Sequence, residues 1–231
     1  MMHKWLHSIP YPVQTALPFI PKGTVMKKLS LVAAAVAVLA LPLTALAESD
    51  VNTAAGPSTA SAKLDFTVVI PRVLFLQVGT GTNLADNAAV DLLTFTVPAA
   101  SLGNGTDVAA TPAAGAVTVR VFGNNGDIGL TSTTTGPMTN AAGDTIPWSE
   151  ILVSSAASAT PAAGYLGAVI PHPPIPAAAG TSASSTVTAT NKVVRKEAVW
   201  TFSYDNSIAY AAGTYGTSTN FGRITYTASL P

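Results

Sequence analysis

From residue 63 to the end of the chain, apolar and polar side chains alternate in short runs, the period of half-buried β-strands. Lys63 to Ile70 (KLDFTVVI) sets Leu64, Phe66, Val68 and Ile70 on one face and Lys63, Asp65 and Thr67 on the other. Pro71 interrupts the run, because proline cannot donate to a ladder. Val73 to Val78 (VLFLQV) is apolar on both faces and predicts a central strand, and Val90 to Val97 (VDLLTFTV) predicts a third, ended by Pro98. Val117 to Phe122 (VTVRVF) turns Val117, Val119 and Val121 inward. The Gly123-Asn124-Asn125-Gly126-Asp127 turn then predicts a hairpin with Ile128 to Ser132 as its return strand. Ile146 to Ser154 reads as a strand carrying Trp148. Val193 to Tyr204 alternates Val199, Thr201 and Ser203 with Trp200, Phe202 and Tyr204. After a turn at Gly213 to Gly216, Arg223 to Leu230 aligns Ile224, Tyr226, Ala228 and Leu230 on one face.

About eight such runs, with no helical period, predict an all-β fold, an antiparallel β-sandwich of about seven to nine strands. No period of about 20–50 residues repeats, which argues against a solenoid or propeller. Between the strands, Ala99 to Gly115 reads as loop. Ala156 to Ser185, rich in Ala, Ser, Thr and Pro, reads as a surface excursion with polyproline character. The Lys192 to Glu197 cluster reads as the solvated start of a strand, its lysines discouraging edge-to-edge pairing.

The first 62 residues follow other rules. Residues 26–47 (MKKLSLVAAAVAVLALPLTALA) combine a basic start, a short apolar run and a small-x-small ending, the pattern of a cleaved signal peptide. The apolar run falls short of the ~20 residues of a membrane span, so contact with membrane is expected only through this segment. Residues 1–25 lack a continuous apolar run, and Lys22-Gly23 can be encoded by a purine-rich ribosome-binding sequence just ahead of Met26. Translation is therefore expected to start at Met26, with residues 1–25 an upstream extension. Residues 48–62 read as a flexible arm and 63–231 as one sandwich domain. The expected location is periplasm, cell surface or extracellular medium.

Composition narrows the chemistry. The chain has 231 residues, of which 48% are hydrophobic but only 7% aromatic and 10% charged, and 11 basic residues balance 11 acidic ones. Lys4, Lys22, Lys27 and Lys28 precede Glu48, so the exported chain carries seven basic against eleven acidic residues, a net charge of −4. That balance argues against nucleic acid as a partner, since phosphates demand a basic face. Without cysteine, disulfides, thiolate metal sites and thiol catalysis are excluded. His172 is the sole histidine after residue 47, and it reads as an exposed residue of a proline-rich loop with no nucleophile or carboxylate beside it. Asp86, Asn87, Asp91 and the Asn124–Asp127 turn offer oxygen ligands but not the spacing of a calcium loop. Neither catalytic residues, nor a metal site, nor a cofactor is expected. Trp148, Trp200, Tyr204, Tyr210 and Tyr215 are either core or a sugar-stacking platform.

The order of these features resembles a known family. The alternating segment running into Pro71 and then VLFLQVGTG resembles the start of mature pilins of the alternate chaperone–usher class. VTVRVFGNNGDIGLTS followed by IPWSEILVS resembles their middle hairpin. AAGTYGTSTNFGRITYTASLP resembles their closing strand, and spore-coat-U-like fimbrial proteins end similarly. The resemblance implies an incomplete immunoglobulin-like subunit of a bacterial surface fibre, completed by the N-terminal segment of a neighbour. Leu64, Phe66, Val68 and Ile70 would then be donor side chains. Ile224, Tyr226, Ala228 and Leu230 would lie on the strand that a periplasmic chaperone holds before assembly. Its partners would be copies of itself or other fibre subunits. Fifteen residues, Glu48 to Ala62, precede the donor segment, more than in the family. The alternative is a self-complete secreted sandwich, with 63–70 as its first strand, that binds glycan or cell-wall polymer through Trp148, Trp200, Tyr204 and Tyr215.

Overall fold

The computed structural model describes residues 48–217 and 220–231; the expected signal peptide and upstream extension lie outside these residues. The chain divides after Val68 into two units, and every strand among the described residues lies in the second, Val69–Pro231. Twelve strands follow in order: β1 (Leu74–Val78), β2 (Val108–Ala109), β3 (Ala116–Gly123), β4 (Ile128–Thr134), β5 (Met138–Thr139), β6 (Thr145–Ile146), β7 (Ile151–Ala157), β8 (Leu166–Gly167), β9 (Gly180–Thr181), β10 (Ser185–Val187), β11 (Val194–Tyr204) and β12 (Thr225–Ser229). Helical structure among the described residues is confined to three 3₁₀ turns. The fold is the expected all-β sandwich.

The larger sheet is built on β11, which is long enough to take partners in succession along both flanks. β3 and then β2 pair on one side, while β8 and then β7 pair on the other. β1 closes this sheet by pairing with β3. In the smaller sheet β4 is central, with β12 on one flank and β10 and β9 on the other. All pairings are antiparallel except β8 with β11. The two inner faces meet through Val119 and Val121 of β3, Ile128 and Leu130 of β4, and Val194, Ala198 and Trp200 of β11, all sealed from solvent.

Period-2 patterning gave correct faces where one side of a strand meets the core. Trp200, Phe202 and Tyr204 point inward on β11, as do alternate residues of β12. The stretch 90–97, expected as a strand, packs Leu93, Phe95 and Val97 on the core but pairs only through one bridge, Thr94 to Thr111. The expected strand around Trp148 is split into β6, a 3₁₀ turn at Trp148–Glu150, and β7.

Other expectations are corrected. β3 and β4 do not form a hairpin: the Gly123–Asp127 turn carries the chain from one sheet to the other. Both flanks of β3 are occupied, by β1 and β11, so β4 finds its partners in the opposite sheet. Gly123 fits this corner because a Cβ there would lie 2.8 Å from Ile128 Cδ1. β1 is an edge strand rather than a central one. Its second apolar face is explained by the 80–89 loop, which lines a small cleft with Phe75 and Gln77. Segment 63–70 forms neither strand nor bridge.

The proline-rich excursion is not a surface loop throughout. Tyr165, Ile170 and Pro173 are buried, and the segment supplies carbonyls to polar groups on the inner face. Ser132 Oγ donates to the Pro174 carbonyl at 2.6 Å, and Thr134 Oγ1 to those of Pro176 and Ala178. A segment rich in prolines has few amides of its own to satisfy, so its carbonyls can meet these hydroxyls without stranding a donor. The Lys192–Glu197 cluster is likewise not solvated at its end. Glu197 is buried and binds Arg120 at 2.6 Å across β3 and β11, accepting also from Ser158 Oγ and the Ala162 amide.

Candidate assembly surface

Two features of residues 63–231 stand out: an apolar segment in which no strand forms, and an edge of the sandwich whose core is less covered. In the segment, Leu64 is 53% exposed, Phe66 84%, Val68 81% and Ile70 76%. Leu64, Phe66 and Val68 fall in the first unit and Ile70 in the second. Within the first unit Lys63 pairs with Glu48 at 3.7 Å, and the Asp50 carboxylate accepts from the Ser61 amide. Exposing a phenylalanine and branched aliphatic residues in one run is unfavourable in water, at roughly 1.5–3 kcal/mol for each such side chain left out of a core.

The open edge is formed by β1 and β12, which belong to opposite sheets and lie against each other. Among the described residues β1 pairs only with β3 and β12 only with β4, so each leaves one row of backbone donors and acceptors without a ladder partner. They run in opposite directions, since Arg72, at the start of β1, donates to the carbonyl of Pro231, just past the end of β12. Leu76 and Val78 of β1 and Ile224, Tyr226, Ala228 and Leu230 on or flanking β12 pack on the core, yet all stay half-buried. Their counterparts on β3 and β4, Val119, Val121, Ile128 and Leu130, are sealed. The core is thus less covered on the side of this seam.

The connection into β1 is firmly held. Asn124, in the corner turn, accepts from the Val73 amide at 2.8 Å and donates to the Pro71 carbonyl at 2.7 Å. Asn125 donates to the Pro231 carbonyl at 3.2 Å. The corner therefore fastens both the entry to β1 and the exit from β12. Asparagine suits this role because one side-chain amide both donates and accepts.

Behind the seam, Tyr226 is tied to the core. Its hydroxyl lies 2.7 Å from His172 Nε2, and the imidazole packs edge-on against Trp200, Phe202 and Tyr226, with ring centroids 4.6, 5.7 and 5.4 Å away. The expectation of an exposed loop histidine is corrected. Burial disfavours the imidazolium and pulls the His172 pKa down to about 4, against a smaller opposing effect of a backbone hydrogen bond with Pro173. Burial also raises the Tyr226 phenol. Position along the chain gave no hint of this, because the contact spans 54 residues.

The aromatic residues considered as a stacking platform do not form one. Trp148 and Trp200 are buried, and their indole N–H groups donate to the Gly136 and Ile170 carbonyls at 2.7 and 2.8 Å. Tyr204 is buried beside Phe95, Tyr210 is half-buried against the core, and Tyr215 is half-buried with its hydroxyl donating to the Ala211 carbonyl. These are packing roles.

The acidic turn residues are likewise engaged by the protein itself. Asp91 accepts from the amide and hydroxyl of Thr80, which hold its carboxyl below the usual range, and Asp127 accepts from the Ala189 amide. Among the described residues no three His, Asp or Glu side chains converge as a metal site would require. No family model, curated protein or solved structure matches the chain.

Proposed function

We propose that this chain is an exported structural subunit of a bacterial surface fibre, in which residues 63–70 of one copy complete the β1–β12 seam of the next. On this reading the sandwich is an immunoglobulin-like domain one strand short. The carrying observation is the match between supply and demand. An exposed apolar run, in which the sequence alternates Leu64, Phe66, Val68 and Ile70 and in which Val69 is exposed too, coexists with two edge strands that have free ladder groups and half-covered apolar side chains. An added strand pairs its backbone with the edge and seats alternate side chains in the core, which is β-strand addition. A periplasmic chaperone gripping β12 before assembly belongs to the same proposal. A non-catalytic role accords with the packing of the sole histidine after residue 47 among aromatic rings.

The test is the size and unfolding of the chain from Glu48 onward. Polymers or aggregates that become monomers on adding a peptide of residues 63–70 are the expected result. Phe66→Asp should weaken association by about tenfold or more, because a carboxylate cannot enter an apolar groove without loss of hydration. A stable monomer with a cooperative transition, indifferent to the peptide, would overturn the proposal.

A further inference from the structure

Arg195, on β11, is a guanidinium held on three sides with no acceptor to bind. Its Cζ lies 5.3 Å from the Phe122 ring centroid and 5.2 Å from that of Tyr165. Gly164 closes the third side, since a Cβ there would come within 2.9 Å of Cζ and of Nη2. Nε is buried without a hydrogen-bond partner. The nearest carboxylate along the strand, Glu197, is committed to Arg120, Ser158 and the Ala162 amide. The two ion pairs among the described residues leave Arg195 out. Aromatic stacking holds a guanidinium in place but does not neutralise it.

This side chain lines an open cleft of about 480 Å³ together with Tyr165, Leu166, Thr190 and Val193. Leu166 is 65% exposed and Val193 43%. The backbone around the cleft is internally paired: the amides and carbonyls of Thr190 and Val193 bond to each other, and Lys196 sits in register with both Leu166 and Val121. β8 pairs only with β11, so one edge of Leu166–Gly167 has no ladder partner among the described residues, and an acidic peptide is the competing occupant that polyglutamate tests. What the cleft offers is a pre-positioned planar fork for an oxyanion beside a shallow apolar floor.

We infer that this cleft binds a carboxylate-bearing sugar of an acidic polysaccharide. The Nη groups of Arg195 take the carboxylate, and the C–H face of the sugar ring lies on Leu166 and Val193. The planar fork matches a carboxylate in a way a lysine does not. The inference stands apart from the fibre proposal, because the cleft lies on β8 and β11 and not at the seam.

The experiment titrates the full chain at low salt with oligogalacturonate, with a dextran oligomer of equal length and with a polyglutamate peptide. Saturable binding of oligogalacturonate and not of dextran is expected. Arg195→Lys, which keeps the charge but loses the fork, should weaken it by about tenfold or more in protein that still unfolds cooperatively. Should Arg195→Lys fail to fold, Leu166→Asp at an exposed position reads the same site and should also abolish binding by repulsion. No saturable binding, affinity unchanged in the folded variants, or equally tight Arg195-dependent binding of polyglutamate would each overturn the inference.

Discussion

His172 and Trp200 show how much of this sandwich depends on single side chains in its aromatic centre. The fold holds the imidazole neutral, so the stability it protects is present in full above its unfolded pKa near 6.5 and is lost as pH falls through about 4. Tyr226, whose hydroxyl touches the ring, stays protonated across that window because burial raises its pKa. Urea unfolding at a series of pH values should therefore show stability declining from pH 6.5 downward. His172→Phe should flatten that decline, leaving the loss from carboxylates such as Glu197 and Asp91, held below their usual values, at lower pH. Trp200, fully buried and bonded through its indole N–H to the Ile170 carbonyl, is the larger packing contributor. Trp200→Ala should cost about 3–5 kcal/mol in the same assay.

At the scale of elements, β3 and β11 are joined by more than their ladder. Burial pushes the Glu197 carboxyl up, but the Ala162 amide, Ser158 and Arg120 outweigh it and keep the group ionised. Glu197→Gln leaves the Arg120 guanidinium largely buried without its counter-charge and should destabilise by about 3–5 kcal/mol. Replacing both Arg120 and Glu197 by methionine should cost far less, and a double-mutant cycle by denaturant unfolding separates the two outcomes. Faces of β11 and β12 were legible in the sequence because a strand with one side on the core must alternate. The pairing of Arg120 with Glu197 was not, as 77 residues separate them. Nor was the corner at Gly123–Asp127, since glycine and asparagine serve a tight hairpin and a crossing between sheets by the same tolerance of positive φ, and only the occupied flanks of β3 decide. The inward course of Ile170–Pro176 was hidden for a similar reason: low-complexity composition describes the segment, not the hydroxyls of Ser132 and Thr134 that receive it.

For the molecule as a whole, the sequence foretold two layers of strands and an alternating apolar run ahead of Pro71. That alternation alone fits a first strand or a donor equally well; on the proposed reading the free edges of β1 and β12 receive the donor. The grip of Asn124 on Pro71 and Val73 then acquires a mechanical meaning. In a fibre joined through residues 63–70, tension enters each subunit at Pro71 and meets the two Asn124 bonds before it reaches the five residue pairs of β1 and β3. At the same end of the seam Asn125 of this corner and Arg72 hold the Pro231 carbonyl, so the entry to β1 and the exit from β12 are fastened together. Asn124→Ala should leave a domain that unfolds at lower force in single-molecule pulling from the arm, while its resistance to urea changes little. The corner asparagine would then be a strain relief, like the clamp where a cable enters its plug.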